Sequence, residues 1–318
     1  MKEKISVIVL TYNPSKQKLI ATLKSIISQK DIDIQIIVSD DGSKENCFEE
    51  ARDFFKRNSF IDYKLISCKK NQGTVKNAIR AVNVSNGEYV KLISPGDMFT
   101  SNYILRDWIN HLLQSKYKWS ICEAIYYKNK NGCILPIKKP THPMITDVYE
   151  KKQERKCRWN YVVLDDVALG AAIVSEKDIL IEYLLRIDGK VVYGEDNIYR
   201  IMMFDGVCAD YFSECAIFYE YGDGVSTSGE SVWSESLTKD WNAADSEMLR
   251  GLDINDTLQV KMWKILRNNG KGNKFIRYLR KVMEPGRLRI GLLRKYKMRY
   301  SLTELPENIE GVNWYADN

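Results

Sequence analysis

Ile34-Gln35-Ile36-Ile37-Val38-Ser39-Asp40-Asp41-Gly42-Ser43 is an apolar run that ends in two carboxylates, a glycine and a hydroxyl. A run with no alternation of polar and apolar residues predicts a strand buried on both faces of a sheet. Its last residues then fall at the carboxyl end of that sheet, where open α/β folds bind ligands. Two adjacent acids at such a place repel each other and lose hydration unless hydrogen-bond donors or a cation compensate. Gly42 and Ser43 predict a tight turn into a helix beginning near Lys44. The competing reading is an ordinary strand-turn-helix with Asp41 or Ser43 as its cap.

The flanking sequence repeats the pattern. Ile5–Leu10 is a second buried-strand run, stopped at Thr11-Tyr12-Asn13-Pro14, and Leu19, Leu23, Ile26 and Ile27 follow at helical spacing. A helix over Glu45–Lys56 and a strand over Tyr63–Ser67 come next. Then follow a turn at Asn71-Gln72-Gly73, a helix marked by Val75, Ile79 and Val82, and a strand over Glu88–Ile93 that ends in Ser94-Pro95-Gly96-Asp97. Strands alternating with helices over short connections predict an α/β fold with a doubly wound, mostly parallel sheet. No G-x-G-x-x-G follows the first strand and no G-x-x-x-x-G-K-[ST] occurs, which demotes dinucleotide-binding and P-loop folds.

The second half is less regular. A helix near Ile104–Gln114 precedes a strand at Trp119–Tyr127 and a polar, turn-rich stretch at Lys128–Lys139. Gly170–Val174 is a small-residue segment, Lys177–Leu185 a helix, and Gly194-Glu195-Asp196-Asn197 opens another helix before a strand at Cys215–Tyr221. The pattern turns helical and basic beyond residue 225. The expected organisation is one α/β domain over 1–225, in halves at 1–98 and 99–225, followed by a helical, basic C-terminal extension over 226–318.

Composition narrows the class. Hydrophobic residues at 44% and charged residues at 28% over 318 residues describe a soluble globular chain. No apolar run approaches the length that spans a bilayer, and the apolar part of the N-terminus is too short for a signal peptide. Seven cysteines without a C-x-x-C pair, and only two histidines, argue against zinc and for reduced thiols in a cytoplasmic protein. The charge is uneven: residues 261–300 carry fourteen Lys/Arg against one acid, Glu284, while the rest of the chain sums to −7. Phe275, Ile276, Leu279, Val282 and Met283 interleave with Arg277, Arg280 and Lys281, and Leu288, Ile290, Leu292 and Leu293 continue the stripe. That is how an interfacial helix on an anionic membrane surface is written. A helix packed on its own domain or in a homo-oligomer is the alternative. Nucleic acid is disfavoured, because aromatic and basic residues do not interleave as a stacking platform.

In a parallel sheet, Thr11-Tyr12-Asn13, Asp40-Asp41, Asn71-Gln72-Gly73 and Ser94-Pro95-Gly96-Asp97 converge on one edge. Such an edge suits a nucleotide. A tyrosine stacks on a base, carboxylates take imino and ribose protons, and an acid at the fourth strand's end can hold a divalent metal against a diphosphate.

The order T-Y-N, D-D-G-S, N-x-G, then a terminal aspartate resembles the inverting family 2 glycosyltransferases of the GT-A fold. The likeness is close over residues 5–98 and looser to about residue 225. It implies a hexosyltransferase that moves a sugar from a nucleotide-diphosphate donor, UDP-linked by preference, to a hydroxyl of a glycan or lipid-linked acceptor. Its setting would be surface polysaccharide or glycoprotein glycan assembly, with the enzyme peripheral on the inner face of the plasma membrane. Carried onto this sequence, Thr11 and Tyr12 line the uridine pocket, Asp40 contacts the base and Asp41 stands at the pocket edge. Asn13, Asn71, Gly73, Ser94, Pro95 and Gly96 complete the nucleotide-sugar site. Lys76 stands where many members carry an arginine. Asp97 is the one acid left where relatives show D-x-D-D, and it would hold Mn2+ or Mg2+ together with phosphate oxygens and water. A metal-independent site, with Asp97 capping the next helix, is the alternative. Asp196 matches the family's general base and Glu195 its neighbour, a base being worth about 10²–10⁴-fold; both acids could instead simply complement a helix dipole. The thinned metal motif also permits a non-catalytic nucleotide-sugar-binding subunit.

Overall fold

The computed structural model describes residues 3–130, 133–137, 139–222, 231–269, 286–300 and 314–315. In chain order the elements are β1 (Lys4–Thr11), α1 (Lys16–Ile27), β2 (Asp33–Asp40), α2 (Phe48–Arg57), β3 (Tyr63–Ser67), α3 (Thr74–Val84), β4 (Tyr89–Ile93), β5 (Met98–Phe99) and α4 (Ile104–Leu113). They continue with β6 (Trp119–Lys130), β7 (Cys133–Pro136), α5 (Asp147–Glu150), α6 (Glu154–Val163), a 3-10 turn at Gly170–Ala172, β8 (Ile173–Glu176), α7 (Lys177–Ile187), α8 (Asn197–Asp205) and β9 (Asp210–Glu220). Among the described residues three helices follow: α9 (Ser231–Arg250), α10 (Thr257–Asn269) and α11 (Arg287–Tyr300).

The strands form one sheet in the order β3-β2-β1-β4-β8-β6-β9-β5, with β7 paired to β6. The first four are mutually parallel, with Thr11 opposite Asp40. β8 runs antiparallel to β4 and β6, and β6 is parallel to β9. Alternation along each strand feeds two cores. Ile5, Val7, Val9, Ile36 and Val38 pack on one face against α1, α2 and α4. Ile8, Leu10 and Ile37 pack on the other with α3, α6, α7 and α8. Helices on both faces explain why β1 and β2 read as unbroken apolar runs.

Several sequence expectations are corrected. The helix expected near Lys44 begins at Phe48, because residues 43 and 44 are tied to the β1 end: Asn13 N–H donates to Ser43 Oγ and Lys44 N–H to Asn13 Oδ1. The stretch at Lys128–Lys139 holds the β6–β7 hairpin. Residues 147–150 and 154–163, unassigned from sequence, are helical. The boundary placed near residue 225 falls between β9 and α9, yet Ala244, Met248, Leu258 and Met262 join the same core as α3 and α6–α8. α9 and α10 therefore pack as one body with the sheet. The stripe at Phe275–Met283 lies outside the described residues. None of the seven cysteines forms a disulfide. Among the described residues no helix is long and apolar enough to cross a membrane.

Candidate active site

The carboxyl ends of β1, β2 and β4 open into a crevice of about 810 Å³. Thr11, Tyr12, Asn13, Asp41, Asn71, Ser94, Pro95 and Asp97 line it from the first half of the chain, and Glu195 and Asp196 from the second. Gly170, Ala171, Tyr193, Glu220, Leu237 and Trp241 complete the wall, with others. Residues more than 180 positions apart thus share one cavity.

Adjacent acids at the β2 end take opposite roles. Asp40 is 1% exposed. Its carboxylate accepts from Gly42 N–H (3.0 Å), Ser43 N–H (2.9 Å), Ser43 Oγ and Thr11 Oγ1 (3.1 Å), which spends it on the turn. Asp41 faces the crevice instead. Its Oδ2 accepts from Gln72 N–H (3.0 Å) and Gly73 N–H (2.7 Å), and Arg80 Nη2 lies 3.3 Å from Oδ1. Asp40, expected to contact the base, is thus absent from the crevice wall, and its neighbour Asp41 lies on it. Lys76 is exposed and outside the crevice wall, and one turn further along α3 Arg80 is the cation that reaches Asp41. A sequence reader could find Arg80 only by stepping one turn from Lys76.

Two glycines are set by close approach. A β-carbon on Gly73, at φ +91°, would strike Val192 just before the acidic pair, and Val75 N–H donates to Val192 O across the same seam (3.1 Å). A β-carbon on Gly96, at φ +102°, would strike the Glu220 carboxylate. Neither glycine lines the crevice; both let its walls meet.

Asp97 is 5% exposed and caps no helix, since α4 begins at Ile104. Burial pushes its carboxyl up to about 7, against the Glu220 N–H and the Lys91 ammonium, which favour its charge; the Glu220 carboxylate adds to the rise. Glu220, whose partner is Lys18 at 2.8 Å, is a second crevice acid that the sequence reading missed. Lys91 is fully buried, donates to Ala171 O and Leu92 O, and is lowered to about 8 by burial. Among the described residues no cluster of three or more His, Cys, Asp or Glu side chains forms a preset metal cage. What Asp97 and Glu220 offer is hard oxygen donors, which fits a divalent cation sharing its shell with phosphate and water.

Asp196 stands at the N-cap position of α8 but makes no capping hydrogen bond, so the helix-dipole reading leaves its carboxylate unspent. Burial raises both acids. For Glu195 the Asp196 charge and then Asp240 add to it, taking Glu195 up to about 8. Asp196 keeps solvent-exposed surface within the crevice. The loop that carries them is gathered by Asp240 of α9, a buried carboxylate accepting from Val192 N–H (3.0 Å), Tyr193 N–H (2.6 Å) and Gly194 N–H (3.0 Å). No motif announces Asp240.

Trp159, Asp165 and Asp166, which precede the 3-10 turn, stand away from the site. Asp166 is fully buried and accepts from Met144 N–H, Ile145 N–H and His142 Nδ1, so His142 has a partner the sequence did not show. Asp165 pairs with Arg287, and Trp159 lies under Lys261. None of these lines the crevice.

The profile described as Glycosyl transferase family 2 matches residues 6–166, half of the chain. The chain belongs to glycosyl transferase family 2. Among family relatives, "Glycosyltransferase GlyG" of Streptococcus pneumoniae serotype 4 is 29% identical over 104 residues, 33% of this chain and 34% of that protein. This chain thus matches only about a third of that relative's length. Among solved structures, Staphylococcus aureus TarS residues 1–349 in complex with UDP superposes with a TM-score of 0.54 at 15% identity, covering 94% of this chain and 88% of that one. A mannosyltransferase from Pyrobaculum calidifontis, solved with GDP-Man and Mn2+, gives 0.55 at 11% identity, covering 94% and 86%. The fold is GT-A.

Proposed function

We propose that the protein is an inverting glycosyltransferase that moves a sugar from a nucleotide-diphosphate donor, UDP-linked by first choice, to a hydroxyl of a glycan or lipid-linked acceptor. The observation that carries this reading is the meeting of Tyr12, Asp41, Asp97 and Asp196 around one crevice. Tyr12, half exposed at the β1 end, offers a face for the base, and Asp41, oriented by Gln72, Gly73 and Arg80, accepts from base or ribose. Asp97 and Glu220 would hold Mn2+ or Mg2+, whose chemistry is to neutralise the diphosphate as leaving group.

Asp196 takes the proton from the acceptor hydroxyl as that oxygen attacks the anomeric carbon on the face opposite the nucleotide. The glycosidic bond to the nucleotide breaks as the new one forms, which inverts the configuration. The transition state is oxocarbenium-like, and the diphosphate leaves without a protein acid. Glu195, beside Asp196 on the crevice wall, holds the acceptor. Gly170, whose added β-carbon would press on Asp196, keeps the space beside the base clear.

The basic face of α11 supports work at an anionic membrane surface. Leu288 and Leu292 are exposed and share one side of the helix with Lys295, while Ile290 and Leu293 pack inward on the core. Tyr221, next to Glu220, is held below the usual phenol range by the Lys139 ammonium, with Lys128 and Arg294 of α11 adding.

A calorimetric screen of UDP-, GDP- and dTDP-sugars with and without Mn2+ tests the reading. Metal-enhanced binding of at least one donor, lost in Asp41→Asn, is the expected result. No binding by any of them removes it.

A further inference from the structure

Large aromatic side chains in this protein are mostly interior: Trp108 and Trp119 are fully buried. Trp241 is the opposite, 58% exposed, yet it lies on the wall of the crevice that holds Asp196. Leu237, one turn earlier on α9, lies on the same wall. An indole left partly in water inside a polar cleft is an apolar face available to a ligand.

The helix carrying it cannot drift relative to the base. Asp240, the residue before Trp241, takes the three N–H groups of the 192–194 loop. Further along α9, Asp245 pairs with Arg200 and Glu247 with Lys190 at 2.7 Å. The indole and Asp196 are thereby fixed to one another through α8, its leading loop and α9.

The donor's needs are met from elsewhere. Tyr12, Asp41, Asp97 and Glu220 stand at strand ends and serve base, ribose and diphosphate. Trp241, Leu237 and Asp196 all lie beyond residue 166, outside the family-matched stretch. On the reading above, the acceptor is the partner that must reach Asp196.

We propose that Trp241, with Leu237, is the platform on which a pyranose ring of the acceptor stacks, so that the acceptor is a saccharide bound through its C–H face. This rests on the glycosyl-transfer reading above. Ring stacking on an indole presents the neighbouring hydroxyls edge-on, and one of them then points at Asp196. A polyol phosphate or a simple alcohol offers no such flat face and gains little from the indole.

The test uses the full chain as wild type, Trp241→Ala and Trp241→Phe, with melting curves as a control for folding. Binding of UDP, GDP and dTDP with Mn2+ is measured by calorimetry. Saturation-transfer NMR then follows methyl glucopyranoside, galactopyranoside, mannopyranoside and N-acetylglucosaminide, and glycerol 3-phosphate, on the nucleotide-saturated protein. The expected result is that at least one pyranoside binds wild type, that Trp241→Ala weakens it by about tenfold, and that Trp241→Phe keeps most of the affinity. Nucleotide binding should be alike in all three. The proposal is overturned if Trp241→Ala binds pyranosides as wild type does, if it loses nucleotide instead (which puts Trp241 over the donor), or if glycerol 3-phosphate alone binds. Failure of wild type to bind any nucleotide is a different outcome and strikes the glycosyl-transfer reading itself.

Discussion

Asp240→Asn is the substitution that separates the base loop from its support with the least change in shape. The native carboxylate accepts three backbone N–H groups at 2.6–3.0 Å while 4% exposed. Hydrogen bonds to a charged acceptor contribute roughly 1.5–3 kcal/mol each, and a buried N–H left facing another donor loses the whole of its share. The asparagine amide retains one acceptor oxygen and turns an NH₂ toward the others, so at least one bond is lost and a donor–donor contact replaces it. A destabilisation of about 2–4 kcal/mol follows. Asp245, Glu247 and the core residues Ala244 and Met248 still hold α9, so the protein folds. The loop bearing Asp196 loosens, and a displacement near 1 Å costs about 100-fold in turnover. Nucleotide affinity should move little, since Tyr12, Asp41 and Asp97 are set by strand ends. The assay is nucleotide release from the donor chosen by the binding screen, beside urea unfolding of both proteins. An Asp240→Asn protein with wild-type midpoint and wild-type turnover would refute the argument.

Three further outcomes can be checked directly. Asp196→Asn should keep nucleotide-sugar binding and lose transfer by about 10²-fold or more; wild-type turnover takes Asp196 out of the mechanism. For Asp97, the folded pKa of about 7 lies above the unfolded 3.8, so the native state binds more protons between those values and metal-free stability declines as pH rises from about 4 to 7. Asp97→Asn, which can still accept from Glu220 N–H, should match wild type near pH 4 and exceed it by on the order of 4 kcal/mol above pH 7. A gap that does not vary with pH contradicts this. On vesicles, the protein should sediment with anionic but not zwitterionic lipid, and Leu288→Ser with Leu292→Ser should weaken it; indifference to lipid charge ends the membrane proposal.

The strand ends were legible because burial on both faces writes itself as unbroken apolar sequence and turns are written in glycine, proline and asparagine. That logic located Tyr12, Asp97 and Asp196 at one crevice. It could not choose between Asp40 and Asp41, because which of two adjacent acids closes its own turn depends on where the backbone N–H groups of 42 and 43 point. It could not find Asp240, Glu220 or Arg80 either. Each acts on a partner 39 or more positions away in sequence, brought close by the crossing order of the sheet. The interleaving of antiparallel β8 between β4 and β6 was invisible for the same reason: Ile173–Glu176 is too short to carry a directional signal.

The clamp from α9 also orders events during synthesis. A ribosome that has released the first 225 residues has delivered the whole sheet and the donor-side groups, but not the carboxylate that gathers residues 192–194. On the mechanism proposed above, transfer therefore waits until residue 240 has left the ribosome and joined the fold.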